Sequence, residues 1–98
     1  MKQIRYILVH ADWSGPALAA KAVTEKAAHA RGVLLQIIPT ASAAEALAAF
    51  GLAEADFHGW AEAFRIEDDR IVFRSALAGP KGPVLEAISE FLINENGE

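Results

Sequence analysis

The chain contains no cysteine, and that absence removes a class of chemistry. Disulfides, thiolate metal sites and dithiol–disulfide exchange all depend on a titrating sulfur. Dithiol oxidoreductase activity is therefore excluded. A cysteine-free chain fits a reducing compartment, and a cytoplasmic location is the expectation. No run of 18 apolar residues free of charge occurs, so no membrane-spanning helix is expected. The opening residues, Met1-Lys2-Gln3-Ile4-Arg5, lead straight into an apolar segment and lack the small-residue cleavage site of a secretory leader. Positive charge is scarce: nine Lys and Arg stand against 13 Asp and Glu, for a net charge of −4. Nucleic-acid binding through counterion release needs a basic stripe, so no nucleic-acid partner is expected. The three histidines, His10, His29 and His58, match no metal-ligand spacing. Neither a metal nor a cofactor is expected.

Large side chains are also few. The hydrophobic fraction is 53%, but 21 residues of the 98 are alanine. Alanine favours helix and adds little volume, so a small set of large apolar residues must do most of the packing. A chain of this length buries roughly 65% of its unfolded surface. It reads as one domain over residues 1–93, with a flexible tail over residues 94–98.

What remains is strongly patterned. Residues 4–9 are nearly all apolar, which suits a strand buried on both faces of a sheet. Ser14-Gly15-Pro16 reads as a helix start, with Ser14 as cap and Pro16 in the first turn. Residues 17–31 are rich in Ala, Lys and Glu, and Gly32 stops the helix. Residues 33–38 predict a second buried strand, closed by Pro39. Ser42-Ala43-Ala44-Glu45 matches a capping box and predicts a helix through Phe50, stopped by Gly51. Residues 53–60 read as a loop. Residues 61–66 and 71–74 predict two strands joined at Glu67-Asp68-Asp69-Arg70. That turn lacks glycine, which leaves its type open. After Pro80-Lys81-Gly82-Pro83, the positions Val84, Leu85, Ile88, Phe91 and Leu92 predict one apolar helix face. The order is β-α-β-α-β-β-α: a mixed four-stranded α/β sheet with helices on both faces.

The segment from Ile7 to Ala17 ends in Trp13-Ser14-Gly15-Pro16-Ala17. It resembles the thioredoxin stretch that closes on Trp-Cys-Gly-Pro-Cys, with Ser14 and Ala17 standing where the cysteines would be. Phe50-Gly51-Leu52 resembles the end of that family's next helix. Gly59-Trp60-Ala61-Glu62 sits where the family has Gly-Ile-Pro-Thr, and Lys81-Gly82 precedes a similar final helix. The resemblance runs over nearly the whole chain without the family's extra N-terminal strand and helix. It implies a minimal thioredoxin-like fold. It also implies a redox-inactive member, since a serine in place of the first thiol has neither the acidity nor the redox chemistry. In a gapless alignment Leu8 takes the place of the family's buried Asp. Ala61 takes the place of its cis-proline, and a trans bond is expected there.

Several residue sets invite a functional reading. His10, Asp12 and Ser14 include the residue types of a hydrolase triad, but triads are built by spatial arrangement rather than local spacing, and capping alone explains Ser14. The start of the first helix could hold an anion through backbone N–H groups, although Asp12 opposes a second negative charge. Trp13 and Trp60, with Phe57 nearby, form an aromatic set of the kind that dominates protein interfaces. Ligands of open α/β sheets bind beyond the carboxyl ends of the strands. By that rule the working surface is His10, Asp12, Trp13, Ser14, Phe57, Gly59, Trp60 and Ala61. The leading expectation is a non-catalytic domain of adaptor or chaperone type that binds a protein or peptide. The alternatives are a cysteine-independent enzyme or small-ligand site at His10-Asp12-Ser14, and a structural homodimer.

Overall fold

The apolar run near the N-terminus forms the central strand, β1 (Ile4–His10), one residue longer than expected. A computed structural model of the chain describes residues 4–11, 15–51, 61–79 and 82–92. β1 runs parallel to β2 (Leu35–Pro39) and antiparallel to β3 (Ala61–Glu67). With β4 (Arg70–Ala76) these strands make a four-stranded mixed sheet in the order β2-β1-β3-β4. Three α-helices accompany it: α1 (Gly15–Ala30), α2 (Thr40–Ala46) and α3 (Leu85–Phe91). A small antiparallel ribbon, β5 (Ala78–Gly79) with β6 (Gly82–Pro83), was not anticipated. Strands this short leave no periodic trace in a sequence.

The alternation of side chains along β1 sorts the core into two clusters. Tyr6 and Leu8 pack with Ala17, Ala20 and Ala28 of α1 and with Ile88, Phe91 and Leu92. Ile7 and Val9 pack with Ile38, Phe64 and Ile66 and with Ala43 and Leu47 at α2. On α1 the buried positions are Ala17, Ala20, Thr24 and Ala28, so the alanines that add little volume let the helix approach the sheet closely. The Thr24 hydroxyl satisfies itself within the helix by donating to the Ala20 carbonyl at 2.6 Å. Phe91 supplies much of the volume, edge-on to Tyr6 and stacked with Phe73.

Gly32 ends α1 as expected and sits at φ 68°. Its N–H donates to His29 and the Val33 N–H to Ala28, which closes the helix through a left-handed residue that glycine tolerates best. Ser14, proposed as the opposite cap, lies outside the described residues.

Three expectations need correction. β2 is not buried on both faces. It is an edge strand that starts at Leu35, and Leu34 stands 91% exposed before it. A continuous apolar run cannot tell a central strand from an edge one. α2 begins at Thr40, directly after Pro39, rather than at Ser42, and no side-chain hydrogen bond caps it. Pro39 closes β2 and is itself the N-cap, in extended geometry at φ −65° and ψ 147°, so Ser42 falls inside the helix. Val84 and Leu85 drop out of the apolar face of α3, whose inward positions are Ile88, Phe91 and Leu92 with Ala87 beside them.

The β3–β4 turn acquires a definite form. Glu67 pairs with Arg70, and the two residues between them, Asp68 and Asp69, have φ of 50° and 69°. Positive φ at both central residues matches the twist of a tight hairpin, and Asp is among the few side chains that tolerate it.

Candidate functional site

β1 ends where a parallel and an antiparallel neighbour meet it, so its carboxyl edge gathers three strand ends. His10, the last residue of β1, lies between Pro39, the last of β2, and Ala61, the first of β3. This register follows from the apolar pattern, because a slip of one residue would turn Ile7 and Val9 out of their cluster.

His10 is 7% exposed, and its Nδ1 is buried without a hydrogen-bond partner. The Thr40 Oγ1, one residue beyond Pro39, is buried and unpartnered in the same way. Buried polar atoms are nearly always satisfied, so two at one sheet edge mark this edge out chemically. Alternation from Tyr6 and Leu8 places His10 on the α1 side of the sheet. Ala61 is fully buried there, and its carbonyl accepts from the Leu77 N–H at 2.8 Å. Ala61 therefore contributes packing and a backbone tie to the β5–β6 ribbon. The ribbon is tied in turn through the Val84 N–H, which donates to the Leu77 carbonyl at 2.9 Å.

Glu62 is the other buried ionisable group at this edge, at 8% exposure. Its Oε2 accepts from both Nε and a terminal nitrogen of Arg74, each at 3.2 Å. The Arg74 guanidinium also lies over the Phe64 ring, 5.1 Å from its centre. Glu62 stands opposite Val9 and so faces the α2 side, away from His10. Strand alternation thus keeps this carboxylate and this imidazole on opposite faces, and they cannot act as an acid–base pair.

Of the residues singled out in the sequence, Asp12, Trp13, Ser14, Phe57, Gly59 and Trp60 lie outside the described residues, as does His58. His10 and Ala61 are brought together as paired neighbours. Among the described residues no group of three His, Asp or Glu side chains could hold a metal ion, and no helix is long and apolar enough to cross a membrane. Sequence reasoning passed over Thr40, Glu62 and Arg74. β3 also carries Arg65 and Glu67, so no local signal set Glu62 apart. Its partner 12 residues away left no local signature. Comparison with known protein families, with curated proteins and with solved structures gave no match, so the fold and the site rest on the chain's own residues.

Proposed function

We propose that this chain is a redox-inactive, thioredoxin-like binding domain that captures a protein or peptide at the carboxyl edge of β1. In this reading the β-α-β-α-β-β-α order, with α1 and α3 on one face and α2 on the other, is the minimal form of that fold. The observation that carries it is the pairing of His10 with Ala61. Trp13 follows His10 by three residues and Trp60 directly precedes Ala61. The two tryptophans are thus tethered to adjacent points of one edge. Tryptophan offers a partner a large, rigid apolar surface and one hydrogen-bond donor. With no thiol in the chain, shape and contact must supply whatever this edge does.

Affinity capture with wild-type and Trp13→Ala baits, followed by titration of the captured partner against purified Trp13→Ala and Trp60→Ala, tests this. Each variant is expected to bind about tenfold more weakly or worse, with a thermal midpoint near wild type. Unchanged affinity in both would end the proposal.

A second reading rests on the unpartnered His10 Nδ1: a small polar ligand that hydrogen-bonds to it. Amide shifts confined to His10, Ala11 and Thr40 in a ligand screen would favour it. A screen that left those amides unmoved would remove it.

A further inference from the structure

We infer that the outer edge of β2 pairs with β2 of a second copy of this chain, antiparallel about a two-fold axis, and joins the two sheets into one. The two edges of the sheet are treated very differently. On β4, Phe73 opposes Arg65 and Ile71 opposes Ile66, so Val72 is an extra residue in a bulge. The same strand exposes Arg70 and Arg74. Bulges and charges are the devices that keep an edge strand from pairing with another chain. β2 has neither. No ionisable side chain occurs between Arg31 and Glu45, and the one proline of β2 is its last residue. Leu35, Gln36, Ile37 and Ile38 all keep their N–H groups.

Two further features point to a second copy as the occupant. The chain carries a net charge of −4, so copies repel each other over most of their surface, whereas β2 itself carries no charge and the one ionisable group beside it, Arg5, is positive. Leu34, at 91% exposure, projects beside a hollow of about 210 Å³ that it lines with Ile4, Arg5, Tyr6 and Gln36. The Arg5 guanidinium in that hollow is already engaged, donating to the Gln36 Oε1 at 3.1 Å and lying over the Phe50 ring. A protrusion and a recess on one patch suit a two-fold interface, in which each copy offers the same surface to the other.

Sedimentation velocity of the full chain over a wide concentration range, with hydrogen exchange of the Leu35, Gln36, Ile37 and Ile38 amides, tests the inference. The expected result is a dimer that forms with concentration, with the alternate β2 amides that point away from β1 gaining protection over the same range. Leu34→Glu and Leu34→Lys should each abolish both effects. Val72→Glu on the opposite edge, and Trp13→Ala at the proposed binding surface, should leave both intact. A chain that stays monomeric throughout would overturn it. So would a dimer that survives both Leu34 variants or leaves those β2 amides unprotected.

Discussion

Arg31 and Arg65 reach the same helix end from opposite parts of the chain. Arg31, just past α1, donates to the carbonyls of Ser89 at 3.3 Å and Leu92 at 3.0 Å. Arg65, in the middle of β3, donates to those of Glu90 at 3.0 Å and Phe91 at 3.2 Å. The last four carbonyls of a helix have no partner within it, and they carry the negative end of its dipole. α3 has only seven residues, too few to persist alone in water. Two cations that satisfy those carbonyls therefore help hold α3, and with it Phe91, against the sheet.

Removing either arginine should loosen α3. Arg31→Ala is expected to cost about 1 kcal/mol. Arg65→Ala should cost more, because Arg65 also lies over the Phe73 ring and pairs with Glu67. A loss of 1 kcal/mol lowers the thermal midpoint of a domain this size by about 5 °C. Thermal melts followed by circular dichroism would read both. The Arg31→Ala,Arg65→Ala double variant should expose the Ile88 and Phe91 amides to exchange before the rest of the sheet.

The Glu62–Arg74 pair makes a separate prediction. Arg74→Met strips a nearly buried carboxylate of the two donors it has among the described residues and is expected to cost about 2 kcal/mol. Adding Glu62→Leu should recover most of that loss, because a buried pair replaced whole by apolar groups is often neutral. A double-mutant cycle from urea melts checks this. Coupling near zero would show that the two groups do not depend on each other.

Much of this fold was legible because it rests on local chemistry. The unbroken apolar run of β1, the alanine-rich α1, the Gly32 stop and the site of the β3–β4 turn all announce themselves within a few residues. What stayed hidden depends on neighbours distant in sequence. Nothing in residues 33–38 says that β2 lies at an edge, and only the strand order makes Leu34 a projecting side chain. Ser42 and Glu45 spelled a capping box, yet the helix takes its cap three residues earlier, at Pro39. At the candidate site, His10 was legible as a polar residue closing an apolar strand. Its position opposite Ala61 was not, since that depends on how β1 pairs with β3.

Thr40 tests the unpartnered polar edge. Its buried hydroxyl has no hydrogen-bond partner, and Val keeps the shape without the oxygen. Thr40→Val is therefore expected to raise stability by about 1 kcal/mol, seen as a shift in the urea midpoint at constant slope. A loss of stability instead would mean that the hydroxyl is satisfied in solution.

The β3–β4 turn offers the last prediction. Asp68 and Asp69 both occupy positive φ, a region that costs a side-chain-bearing residue roughly 1 kcal/mol or more. Glycine removes that cost at Asp69 but adds backbone entropy to the unfolded chain, so the net gain should be about 0.5 kcal/mol. Asp69→Gly, which leaves Asp-Gly at the centre of the turn, suits this turn type best. Alanine relieves nothing, since its Cβ meets the same carbonyl, so Asp69→Ala should be neutral or destabilising. Equal stability of the glycine and alanine variants in urea melts would show that Asp69 is not held in the left-handed region. Adjacent central residues at positive φ are what keep Glu67 opposite Arg70. A turn of another type would change that pairing and, through β4, the position of Arg74 against Glu62.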